Sequence, residues 1–377
     1  MGKRHNPKVN LSVTEYSRPG TSAVFDDLLH ILRGKNQGSG HGETQIESIS
    51  SLQDWQFKRG ALKDLFKFSL GNRPAIDCPL DPKVIFERKE AEYLLRKIEF
   101  TSEPDDRVGA YILIPHGAKA MAPAVICIPP TVDACKDETA GLVPTAYGKD
   151  HAYAAHLARR GFVTITYDLV QAGERMTPGY KPYVTEPFYK KHPDWSIRGK
   201  DIWDVGRAID VLLTLPEVDP QRIGCIGHSL GACIGVHAAA VDERIKSTVS
   251  NCGWYPARLA KNPLLRARLE YWCDCPPLRP FAYCGKPFPT DLHEHLAMIA
   301  PRSVLALSPV NDEGYKLSEQ HITKPTFENL IGNVNKIFAL YDVADNYKHI
   351  LHDKGHCMLE PEQELAYRFL KETLKAN

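Results

Sequence analysis

The chain has 377 residues, enough for one large domain with additions or for two smaller ones. Hydrophobic residues make up 43% and charged residues 25%, an ordinary balance for a globular protein, and the formal charge of +1 supplies neither a basic field for nucleic acid nor an acidic tail. No apolar run approaches the ~18 residues of a membrane span. The charged start, Met1 to Pro7, is not followed by the apolar stretch of a secretory signal.

Residues 1 to about 20 read as disordered. Ser22 caps a short predicted helix whose apolar positions are Phe25, Leu28, Leu29 and Leu32, with Gly34 as its stop. Residues 35–49 are polar and glycine-rich and read as a linker. A longer helix follows from about Ser51 to Leu70, with Leu52, Trp55, Leu62, Leu65 and Phe66 on one face and Gly71 after it. Residues 1–92 are therefore expected to be a helical extension packed on the core, and residues 93–377 the main domain.

From about residue 93 strands and helices alternate. Arg96–Thr101 and Val108–Ile114 read as an antiparallel hairpin. Ala124–Ile128 is a continuous apolar run, as in a buried parallel strand. Helix Ala146–Arg160, strand Phe162–Tyr167, helix Ile197–Leu215, a strand into residue 228 and a helix of small residues follow. Then come strand Ile245–Ser250, a long irregular stretch, strand Ser303–Ser308, helix Thr326–Tyr341, strand Tyr347–His352 and helix Glu360–Leu374. Alternation of this kind requires right-handed crossovers and a mostly parallel sheet with helices on both faces. Eight strands are expected. An insertion at about 253–298, between strands six and seven, carries Trp254, Tyr255, Tyr271, Trp272, Phe281 and Tyr283. It leaves the carboxyl end of a strand, as does a second long loop at 169–197. Open sheets of this type bind ligands there, so both loops are expected to wall a substrate pocket.

The ten cysteines fall largely inside predicted elements and read as small buried hydrophobes. Cys273-Asp274-Cys275 lacks a second pair at zinc-ligand spacing, so no metal site is expected. Reduced thiols without a signal point to the cytoplasm.

Gly227-His228-Ser229-Leu230-Gly231 joins the strand Arg222–Ile226 to the small-residue helix. Strand, sharp turn and helix make a nucleophile elbow, with glycines where a side chain would collide. By chance alone, Gly-x-Ser-x-Gly arises in roughly one chain in ten of this length, so the surroundings decide. A serine hydroxyl needs a base, and the base needs an orienting acid. On a sheet that carries such an elbow they follow in the order Ser, Asp or Glu, His. Asp312 follows Ser303–Ser308, and His356 follows Tyr347–His352. Glu313 and His352 are the rivals for these two roles, and Asp353 could tie down the last loop. The oxyanion requires two backbone N–H groups. Leu230 supplies one. The other belongs to the loop Ile128-Pro129-Pro130-Thr131-Val132, where the prolines have no N–H and Thr131 is the first residue able to donate.

With these motifs the chain resembles the α/β-hydrolase superfamily, and within it the dienelactone-hydrolase-like and acetyl-xylan-esterase-like serine esterases. The likeness spans about residues 50–377. It includes Pro216–Gly224 ahead of the elbow, Ile299-Ala300-Pro301-Arg302 ahead of the acid, Gly173-Glu174-Arg175 after Tyr167-Asp168, and the helix around Trp55–Arg59. It implies an α/β-hydrolase fold and hydrolysis of carboxylic esters, often acyl groups on sugars, without a cofactor. It also implies substrate-binding roles for Glu174 and Arg175, beside Trp254 of the insertion. Dienelactone hydrolases proper use a cysteine where this chain has Ser229, and the Pro129-Pro130 loop is a second departure. A small-molecule ester is the expected partner. A peptidase of the prolyl-oligopeptidase type and a carbon–carbon bond hydrolase share the same triad and remain open, as does the oligomeric state.

Overall fold

The computed structural model describes residues 28–34, 44–118, 121–145, 150–259, 272–314 and 323–376. In chain order the strands are β1 His30–Gly34, β2 Thr44–Ser48, β3 Lys83–Lys89, β4 Tyr93–Glu103, β5 Asp106–Pro115, β6 Ala122–Ile128, β7 Val163–Tyr167, β8 Val218–His228, β9 Ile245–Asn251, β10 Ser303–Pro309 and β11 Tyr347–His352. The helices are α1 Leu52–Leu70, α2 Lys136–Thr139, α3 Tyr153–Arg159, α4 Glu186–Lys191, α5 Ile197–Leu212, α6 Leu230–Val241, α7 Arg279–Tyr283, α8 Leu292–Ile299, α9 Lys324–Ala339 and α10 Glu360–Thr373.

Strands β3 to β11 form one sheet in the order β11-β10-β9-β8-β6-β7-β5-β4-β3. The six strands from β6 to β11 pair in parallel, while β3, β4 and β5 form an antiparallel flank that joins the rest through β7. Strand β6 shows how the period of two builds two cores. Ala124, Ile126 and Ile128 face the layer of α1, α5, α6, α8 and α9. Val125 and Cys127 face Tyr153 and Leu157 of α3 and Tyr367 and Leu370 of α10. Both faces are covered, so the central strands are apolar throughout.

Helix α1 begins at a capping box: the Ser51 hydroxyl accepts from the Asp54 N–H at 3.2 Å, and the Asp54 carboxylate accepts from the Ser51 N–H at 3.1 Å. It ends at Gly71, whose φ of 72° suits glycine. Trp55, Leu62 and Phe66 are buried, and the Phe66 ring meets His237 of α6 at 5.1 Å and His295 of α8 at 4.2 Å.

The sheet has nine strands rather than the eight expected. The additional one is β3, a fully exposed edge strand of charged and apolar residues that lies inside the segment expected to be a helical extension. The N-terminal region also holds a hairpin. Residues 30–34 pair antiparallel with 44–48, where a helix end and a linker were expected. The rest of that expected helix, with its Ser22 cap, lies outside the described residues, as do residues 1–20. Helix α3 starts at Tyr153, and residues 146–149 of the expected Ala146–Arg160 helix likewise lie outside. The insertion after β9 is not irregular throughout, since it contains α8.

Candidate active site

Strand β8 delivers Ser229 at φ 54° and ψ −116°, with its N–H donating to the Asn251 carbonyl of β9 at 2.8 Å. This strained turn holds only because its neighbours are glycines. A Cβ on Gly227 would overlap the Gly231 backbone, and one on Gly231 would overlap the Ile128 carbonyl.

The structure brings the three predicted side chains together. The Ser229 hydroxyl lies 2.8 Å from His356 Nε2. On the other side of the ring, His356 Nδ1 lies 2.9 and 3.0 Å from the two oxygens of Asp312, which is buried. This arrangement fits a proton on Nδ1 and a free lone pair on Nε2. Glu313 has a different job: its carboxylate accepts the backbone N–H of His356 at 3.1 Å. Asn311 completes the clamp. Its amide donates to the Asp353 carbonyl at 2.7 Å and accepts from the Gly355 N–H at 3.0 Å. His352 faces elsewhere, with Nδ1 meeting the Lys354 N–H at 3.3 Å, and burial lowers its pKa. A Cβ on Gly314 would press on both Asp312 and the His356 ring, so glycine is needed there for close approach.

A second set of residues escaped sequence reasoning. His228 stacks on His151, with centroids 5.0 Å apart, and meets the tilted ring of His356 at 4.9 Å, while His151 Nδ1 lies 2.6 Å from Glu138. The Asn251 amide sits 2.7 Å from His228 Nδ1 and donates to the Cys357 carbonyl at 2.9 Å. Only the variable position of the Gly-x-Ser-x-Gly motif hinted at this support. Among the described residues, one group of metal-capable atoms lies within 4.8 Å of one another, namely Cys252, Asp312 and His356. Asp312 and His356 are hydrogen-bonded to each other, and Cys252 Sγ donates to the Cys357 carbonyl at 3.3 Å.

The loop after β6 is fixed from both ends. The Tyr153 hydroxyl donates to the Ile128 carbonyl. The Tyr183 hydroxyl accepts from the Val132 N–H at 3.0 Å and donates to the Val132 and Pro130 carbonyls at 2.8 and 3.2 Å. With the Val132 N–H engaged, Thr131 is the remaining donor of the loop. Among the described residues no acceptor meets the N–H of Thr131 or of Leu230.

Leu230 also lines a narrow cleft, with Val170, Tyr183 and Ile197 from the 169–197 loop region, Asp201 of α5 and Trp272 of the insertion. Both long loops thus reach the neighbourhood of Ser229, the insertion through Trp272 and not through Trp254. Trp254 is buried, edge-on to Phe327 at 5.1 Å and His349 at 4.7 Å, beneath α9 and β11. Arg175 is buried between Asp106 at 2.5 Å and Asp204 at 2.9 Å and donates to the Asp168 carbonyl. Glu174 pairs with Lys97 and with Lys136. These three side chains hold the fold together and are absent from the cleft wall.

Comparison with known proteins agrees with this architecture. YtaP of Bacillus subtilis is 24% identical over 318 residues, spanning 83% of this chain and 98% of YtaP. YcjY of Escherichia coli is 39% identical over 129 residues, 33% of this chain and 38% of that protein. A glucuronoyl esterase from Solibacter usitatus has a TM-score of 0.65 at 19% identity, over 87% of this chain and 95% of that one. The methylesterase BT1017 has a TM-score of 0.62 at 16% identity, over 92% and 74%. These two likenesses concern the fold. The abhydrolase family model matches residues 47–250, which include α1 and the whole elbow. The chain belongs to the abhydrolase family and has the α/β-hydrolase fold.

Proposed function

We propose that the protein is a serine hydrolase of carboxylic esters. The observation that carries this reading is the hydrogen-bonded line Ser229–His356–Asp312 on the elbow. His356 Nε2 takes the proton of the Ser229 hydroxyl as Oγ attacks the ester carbonyl. Asp312 holds the imidazole with its other nitrogen protonated and stabilises the imidazolium that forms. The developing oxyanion is received by the N–H groups of Leu230 and Thr131. Collapse breaks the ester C–O bond, and His356 returns the proton to the departing alcohol. Water, deprotonated by the same nitrogen, then releases the acid from Ser229. That structures of similar fold are named as glucuronoyl esterases and a methylesterase supports an ester as the substrate.

The test is a panel of esters that vary in acyl length and leaving group, with p-nitrophenyl acetate as the reference. Ser229→Ala should lose nearly all turnover, leaving a residual rate ~10³-fold or more below the parent, with an unchanged melting temperature. Retention of more than a few per cent of the parent rate rules the assignment out. A parent enzyme inert on every ester but active on an amide or a carbon–carbon substrate would move the reaction class.

A further inference from the structure

The cleft beside Leu230 carries one charged side chain, and its chemistry is selective. Asp201 is 6% exposed and lines the cleft from α5. One of its oxygens accepts from Arg198 at 3.3 Å, while the other meets no donor among the described residues. Arg198, itself buried, also pairs with Asp274 at 3.2 Å, so one guanidinium serves two carboxylates. Burial, with Asp204 and Asp274 nearby, pushes the Asp201 carboxyl up to about 7 despite Arg198. Such a group is poised to accept or to donate a hydrogen bond. An anionic group would be repelled by the acidic surplus. An ammonium would have to shed its water against Val170 and Ile197 to meet a carboxyl that already has a cation. A neutral hydroxyl fits both roles of the carboxyl. The aromatic part of the lining suits the carbon that bears it: Trp272 stacks on Tyr183 with ring centroids 5.4 Å apart and planes 18° apart, offering an aromatic surface to C–H groups. The space between these side chains is narrow, so the cleft takes only a short group.

We propose that this cleft is a specificity subsite of the ester site, in which the Asp201 carboxyl receives a hydroxyl carried by the substrate close to the scissile carbonyl. This rests on the ester-hydrolase reading. The hydroxyl can belong to the acid or to the alcohol, and three esters separate the two: propyl butyrate, propyl 3-hydroxybutyrate and glycerol monobutyrate. One of the hydroxylated esters should exceed propyl butyrate in kcat/KM by ~10-fold or more, the range of a hydrogen bond to an ionisable group. The ester that wins names the side. Asp201→Leu should erase that preference, and Asp201→Asn, which keeps shape and an acceptor, should reduce it. Absence of preference in the parent, or a preference that survives Asp201→Leu, overturns the proposal.

Calorimetric binding of the same three esters to Ser229→Ala reads the subsite without turnover. The preferred ester should bind ~10-fold tighter than propyl butyrate, and adding Asp201→Leu should remove the difference. Equal binding of all three overturns the subsite. Lack of Ser229-dependent turnover of every ester overturns the hydrolase reading instead, and the binding comparison still decides the subsite.

Discussion

Asp312 and Glu313 are adjacent carboxylates with different partners. One faces the ring of His356 and the other faces its backbone. Asp312→Asn should therefore lower kcat by ~10³ to 10⁴, since an amide favours the wrong tautomer of the imidazole. Glu313→Gln keeps an oxygen for the His356 N–H and should cost ~10-fold at most. Steady-state kinetics of the two variants on one ester checks the pair, and a larger loss from Glu313→Gln would reverse the assignment. The meeting of Ser229, His356 and Asp312 could be anticipated from sequence because each follows a strand end, and strands show as apolar runs. The partners of Glu174, Arg175 and Trp254 were hidden for a common reason. Sequence displays a charge or a ring but not its partner, and Arg175 finds Asp106 from 69 positions away. The Asn311 clamp and the His151–His228 stack were invisible for the same reason.

At the scale of elements, legibility followed pattern strength. The parallel strands and their helices appeared with boundaries shifted by a few residues. Strand β3 did not appear, because an edge strand exposed on both faces has no period-two burial to display. Helix α8 was passed over among the aromatics of the insertion, although Asp291 and Glu294 spell out a capping box. That cap is buried and does more than start a helix. The Asp291 carboxylate accepts from Leu292 at 2.7 Å and also from the N–H groups of Ala257 at 3.2 Å and Arg258 at 2.9 Å, so it ties the segment after β9 to α8. Asp291→Ala should cost ~2–4 kcal/mol, a lost cap plus buried donors left unmet. Ser51→Ala, which opens the solvent-exposed box of α1, should cost ~1 kcal/mol. Urea titration of both variants measures the contrast, and equal costs would mean that Asp291 acts as an ordinary cap.

At the scale of the whole molecule, the core encloses ionisable groups that pull stability in opposite directions with pH. His349 of β11 is half-buried, edge-on to Trp254, between the Tyr347 hydroxyl at 2.7 Å and Ser308 at 2.9 Å. Burial lowers its pKa to about 3 from 6.5. A lowered pKa means that the native state resists protonation. The associated stability is present above the unfolded pKa of 6.5 and is lost as pH falls towards 3. Asp201 behaves in the reverse sense. Its carboxyl rises to about 7 from 3.8, chiefly by burial, so its native state resists ionisation. That stability is present below 3.8 and is lost as pH climbs to 7. Two substitutions separate the effects. Asp201→Asn cannot ionise, so its melting temperature should gain on the parent between pH 4 and 7 and keep a constant offset above. His349→Gln cannot take a proton, so it should gain on the parent as pH falls below about 6.5. Melting curves of the three proteins across pH 4 to 8 give two difference profiles of opposite slope. A flat profile for either variant would mean that its group does not change charge on unfolding in that range. Opposite slopes would trace two opposed contributions to stability between pH 3 and 7 to two residues, one on the last strand and one in the wall of the cleft.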